Sequence, residues 1–196
     1  MNPDARYLLN EPAQLREHYA QPNKAVVQKQ IDSLDTYAQR LIALSPFLIL
    51  GTQGANGIDC SPKGGEPGFV HVEDEKTLLL PDRSGNNRLD GLSNILQNPW
   101  VGMLFLIPGW SEGFRVNGRA HISIDPALCC RFPLSQQPAK SVIIIQVEEV
   151  FIHCGRAISF ADLWNADKHA DPALVPRALD IFKAHVAISV NAKKTA

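Results

Sequence analysis

No apolar run in this chain approaches the roughly 18 residues that a membrane-spanning helix needs. Its start, MNPDARYLLNEPAQ, lacks the basic opening and long apolar core of a secretion signal, so a cytoplasmic protein without a membrane partner is expected. Charge of one sign is also lacking. The formal net charge is −1 over 196 residues and the pI is about 6.6, which leaves no electrostatic drive toward nucleic acid or an anionic membrane surface. Local positive sites then serve small anions. Cysteine is scarce and unpatterned: Cys60, Cys129, Cys130 and Cys154 form no CxxC pair and no zinc-finger spacing, and reduced thiols are expected. With no repeat, linker or low-complexity tract, one domain over residues 1–196 is expected.

What is there is a succession of short apolar runs. Val27, Ile31, Leu34, Ala38, Leu41 and Ile42 recur at helical period, which predicts one amphipathic helix over Lys24 to Leu44 within an N-terminal extension of about residues 1–45. Ser45-Pro46 ends it. Strands are predicted near Phe47–Thr52, Ile58–Ser61, Thr77–Leu80, Trp100–Ile107, Gly113–Ile124 and Ser141–Cys154, with a single short helix at Arg88–Gln97 among them. Their spacing is too tight for βαβ crossovers, so the turns are antiparallel and a barrel is the natural closure. A last helix is predicted over about residues 172–189.

The segment Pro81 to Asn94, PDRSGNNRLDGLSN, joins the apolar run TLLLP to a helical pattern through a polar turn. A helix beginning near Asn86 or Asn87 presents free N–H groups and the positive end of its dipole, and Arg83 and Arg88 flank it. That arrangement suits a phosphate monoester. It equally suits a capped surface helix with two solvated arginines, and the segment alone does not choose.

The order of SPKG, TLLLPDRSGNNRLDGLSNILQNP, VGMLFLIPG, EGFRVNGRAHIS and EEVFIHCGRAI, followed by Leu163-Trp164, resembles the pyridoxamine 5′-phosphate oxidase-like FMN-binding split-barrel family. The likeness is nearest to a subgroup of FMN-dependent enzymes of undefined substrate, and runs from about Phe47 to Trp164. It implies a mainly β, α+β fold: a six-stranded antiparallel split barrel with flanking N- and C-terminal helices. It also implies a homodimer with FMN in a cleft between the subunits and a small organic molecule as substrate. By position, Arg83, Asn87 and Arg88 fall where the family binds the FMN phosphate, just after Pro81 and Asp82. Ser61, Pro62, Lys63 and Gly64 fall on the segment that runs along the flavin ring and ribityl chain, and Trp164 in a region that approaches the partner's flavin.

A flavin that accepts a hydride gains negative charge over N1 and the C2 carbonyl, so a nearby cation raises its potential. Lys63, in the Pro/Gly-rich stretch SPKGGEPG, and Arg115 are the candidates. Lys63 is otherwise a surface-loop lysine. If Phe114 points into the core, strand alternation points Arg115 out of it, toward a dimer cleft or toward solvent. No side chain stands out as a catalytic acid or base. His153 and Cys154 are adjacent on a strand and face opposite ways, so a shared metal is not expected. Glu73, Asp74 and Glu75 read as a solvated hairpin tip.

The chain departs from the vitamin B6 oxidases themselves. Their Arg-Leu-x-Pro signature is replaced by AHVAISVNAKKTA, and Gly-Asn-Asn-Arg stands where they carry an adjacent Arg-Lys pair, so Arg83 is the expected compensating cation. Arg156 stands where the subgroup more often has lysine. Two alternatives to an FMN-dependent oxidoreductase remain: a flavin carrier or sensor without turnover, and a split barrel using haem or a deazaflavin. Haem would need His153 or Cys154 as axial ligand.

Overall fold

Apolar residues at every second position build the sheet. In the strand Phe47–Gly54 (β1), Leu48, Leu50 and Thr52 face inward; in Trp100–Leu106 (β5), Val101, Met103 and Phe105 do so. The computed structural model describes residues 4–82, 85–133 and 137–194. The remaining strands are Gly57–Gly64 (β2), His71–Asp74 (β3), Thr77–Asp82 (β4), Gly113–Ser123 (β6) and Ser141–His153 (β7). They form one antiparallel sheet in the order β2-β1-β5-β6-β7-β4-β3. Leu48 and Leu50 of β1 share a core with Leu78 and Leu80 of β4, so the sheet is rolled about one interior in the manner of a split barrel.

The seventh strand corrects the six expected. The addition is β3, whose sequence HVED is polar and mostly exposed, so no apolar alternation announces it. It pairs with β4 alone and forms a hairpin around Glu75 and Lys76. The contiguous apolar run of β4 has a different cause from alternation. Leu78 and Leu80 face the main core, and Leu79 faces a second cluster with Cys129 and Val142. That cluster lies beneath Pro126–Cys130, a short helix the sequence did not announce.

The helices, in chain order, are Leu15–His18 (α1), Lys24–Gln28 (α2), Thr36–Leu44 (α3), Asp90–Gln97 (α4), Pro126–Cys130 (α5), Arg156–Phe160 (α6) and Ala178–Lys194 (α7). The single helix expected over Lys24–Leu44 is thus two helices. Between them Ile31 pairs with Val150 of β7, and the Asp35 carboxylate accepts from the Ala38 N–H to start α3 afresh. Ala38 and Ile42 of α3 are fully buried in the core. The last helix begins and ends later than expected.

A bulge shapes β6. Asn117 pairs with Glu149 and Gly118 with Val147, so the ladder skips Glu148. A methyl at Gly118 would collide with the Gln146 carbonyl oxygen, which is why glycine stands there.

The chain divides into two compact units, one ending at Gly155 and the other beginning at Arg156. The first holds the whole sheet; the second holds α6, a 3-10 turn at Ala166–Lys168 and α7. Among the described residues, no helix is long and apolar enough to cross a membrane.

Candidate functional site

Helix α4 positions the site. The buried Asn94 donates from Nδ2 to Thr52 Oγ1 of β1 at 3.2 Å, and Gln97 Oε1 accepts from the Ala55 N–H at 2.9 Å. These bonds dock α4 on the β1–β2 hairpin, and the turn that precedes it then overhangs a cleft of about 210 Å³. Leu50 and Ile143 contribute apolar surface, Ser61–Lys63 of β2 form one wall, and Asp82, Asn86–Leu89 and Lys140 form the others. A recess of about 220 Å³ shares Pro62, Lys63 and Asp82 with it and adds Gly64, Phe69, Leu80 and Pro81.

The helix starts later than the sequence suggested. Asn87 has φ +58°, a left-handed conformation that asparagine tolerates but a helix does not, and the Asn86 side chain accepts from the Arg88 N–H at 3.0 Å. Helix α4 therefore begins at Asp90, with Leu89 as an N-cap that supplies no side-chain hydrogen bond. Arg88 lies ahead of the first turn and not within it.

The cleft is polar and charge-paired. Lys63 Nζ stands 3.9 Å from Asp82 Oδ1, both side chains being largely buried. Arg88 Nε donates to Asp90 Oδ2; that bond, and then the charges of Asp90 and Asp59, hold the guanidinium's pKa above its usual value. Asp59 itself accepts from Ser61 Oγ at 2.7 Å. Lys140 Nζ donates to Asn87 Oδ1 at 3.4 Å.

Ser61, Pro62, Lys63, Asp82, Asn87 and Arg88 thus meet in one cleft, with Gly64 and Pro81 in the adjoining recess. Arg83 lies outside the described residues. Arg115 is elsewhere: it lines a depression of about 560 Å³ with Gly51, Gly102 and Trp100. Strand alternation buries Phe114 and leaves Arg115 partly exposed, as expected. Arg115 donates to Asn117 Oδ1 at 3.2 Å, stands 3.9 Å from Glu149 Oε1, and its guanidinium lies 5.3 Å from the centre of the Phe151 ring. Trp164 belongs to the second unit.

Sequence reasoning missed Lys140. It precedes Ser141, which pairs with Asp82, and only that β4–β7 register brings it to the turn. Neither His153 nor Cys154 lines the cleft, and among the described residues no cluster of three His, Cys, Asp or Glu side chains could hold a metal.

The family model for pyridoxamine 5′-phosphate oxidase matches residues 34–154, more than half of the chain. Among solved structures, HupZ from Group A Streptococcus is similar at 23% identity, over 60% of this chain and 92% of that one, with a TM-score of 0.49. A candidate pyridoxamine 5′-phosphate oxidase from Lactobacillus delbrueckii matches at 21% identity over 62% and 95%, with a TM-score of 0.48. An FMN-binding protein from Syntrophomonas wolfei matches at 14% identity over 59% and 82%, with a TM-score of 0.47. No curated protein matches the sequence. By its rolled antiparallel sheet and the span of the family match, the chain belongs to the pyridoxamine 5′-phosphate oxidase family.

Proposed function

We propose that the cleft beside α4 binds FMN and that the protein is an FMN-dependent oxidoreductase acting on a small organic molecule. The observation that carries this reading is the meeting of Lys63, Asn87, Arg88 and Lys140 beside the apolar side chains of Leu50 and Ile143. Cations and an amide suit a phosphate, and apolar surface suits a flavin ring. Arg88, Asn87 and Lys140 would hold the phosphate end, while Ser61–Gly64 would run along the ring. When bound, the flavin supplies the hydride chemistry, and Lys63 stabilises the negative charge of the reduced ring.

A homodimer belongs to the same proposal. The cleft, at about 210 Å³, is smaller than the roughly 300–1,000 Å³ typical of small-molecule sites. A second subunit that covers the cleft would complete it. The absorption spectrum of the purified protein after incubation with FMN and gel filtration tests the cofactor assignment. Retained flavin bands support it, and a flavin-free protein that also fails to bind FMN in titration contradicts it.

A further inference from the structure

Among the described residues, one cation of the cleft has no carboxylate partner. Lys63 faces Asp82 at 3.9 Å and Arg88 is paired with Asp90, but among the described residues Lys140 meets no carboxylate and its Nζ donates to the neutral amide of Asn87 at 3.4 Å. An exposed ammonium held by a neutral acceptor keeps its charge available to an incoming anion.

We infer that Lys140 is a further cation of the phosphate end, supplied by the residue before β7 and acting beside Arg88 of the turn. The inference rests on the FMN reading. A phosphate monoester carries close to two negative charges above pH of about 6, and one arginine answers only one of them. The described part of the turn, Gly85–Arg88, carries only that arginine. Lys140, on the element beside it, lines the same cleft and is placed to answer the second charge. Asp82 and Ser141 are paired across β4 and β7, so the chain enters β7 where the turn leaves β4.

The two cations differ in what engagement costs them. Arg88 must exchange Asp90 for the phosphate, whereas Lys140 gives up one contact to a neutral amide. Asn87 has a part in both. Its left-handed backbone, at φ +58°, places it between Arg88 in sequence and Lys140 in space. Lysine acts here as a point charge, and arginine as a planar fork, so together they read a compact dianion.

The test compares FMN with riboflavin, which has the same ring and ribityl chain and no phosphate. Fluorescence-quenching titrations of both ligands are run against the wild type, Lys140→Met and Lys140→Arg. Lys140→Met is expected to weaken FMN by roughly tenfold or more, with riboflavin unchanged, because a charge-assisted hydrogen bond to the phosphate is lost. Lys140→Arg should recover most of the FMN affinity. Equal losses for both ligands, or FMN binding unaltered in Lys140→Met, would overturn the role of Lys140 while leaving the flavin assignment standing. A wild type that binds neither ligand would overturn the flavin assignment, and this inference with it.

Discussion

Lys63 Nζ and Asp82 Oδ1 lie 3.9 Å apart, although β2 and β4 have four other strands between them in the sheet order. The rolled sheet brings them together as an ion pair, at a separation longer than a direct hydrogen bond. Their pairing also means that Lys63 acts on anything in the cleft as half of a couple.

Replacing Lys63 with Met leaves Asp82 uncompensated beside the proposed flavin, which disfavours the negatively charged reduced ring. The midpoint potential should fall by about 30 mV, equivalent to about 1.4 kcal/mol for a two-electron couple. FMN affinity should change less. A reductive titration of wild type and Lys63→Met checks this, and an unchanged potential would return Lys63 to an ordinary surface role.

Gly118 predicts a stability effect that no ligand can mask. A methyl there meets the Gln146 backbone, which cannot swing aside as a side chain does. Gly118→Ala should cost about 1–3 kcal/mol, the usual range for overpacking, measured as a lower urea midpoint. A variant as stable as wild type would mean that the bulge at Glu148, opposite Asn117 and Gly118, relaxes freely.

Acid stability should depend on a pair that does not line the cleft. Arg131 Nη1 donates to Glu73 Oε1 at 3.0 Å, and that bond holds the Glu73 carboxyl below its ordinary value of 4.5. A carboxyl whose folded pKa is depressed adds stability above its unfolded value, and that stability is lost as pH falls from there through the folded value. Arg131→Gln should therefore lower stability at neutral pH slightly and flatten its decline below about pH 4.5. Thermal melts across the acid range read the difference; parallel curves for the two proteins would show that the pair contributes nothing.

The dimer is tested by light scattering, which should report twice the chain mass of 21.6 kDa. A monomer at micromolar concentration that still binds FMN tightly would contradict a cleft completed by a second subunit.

Sequence periodicity carried far in the sheet and less far in the site. Period-two alternation was visible wherever one face met the core, as in β1, β5 and β6, and it correctly turned Phe114 in and Arg115 out. It failed for β3, an edge strand whose polar residues are mostly exposed. The long N-terminal helix failed for a related reason. Apolar residues continue at helical spacing through Ile31 and Leu34, but Ile31 joins β7 and Leu34 enters the core from the connecting segment before Asp35 starts α3. The cleft's wall of Ser61–Lys63 and its turn at Asn87 and Arg88 were legible as local motifs. Lys140 was not, because 53 positions separate it from Asn87 and only strand pairing closes that gap.

The central claim is that the phosphate of FMN sits against the turn before α4. Arg88→Ala removes a charge-assisted hydrogen bond worth about 1.5–3 kcal/mol, so FMN affinity should fall by roughly one to two orders of magnitude while riboflavin affinity barely moves. Parallel quenching titrations of FMN and riboflavin against wild type and Arg88→Ala make the measurement. A selective loss of FMN affinity is the predicted result; equal losses for both ligands, or no loss for FMN, would place the phosphate elsewhere and leave Arg88 as a surface arginine paired with Asp90.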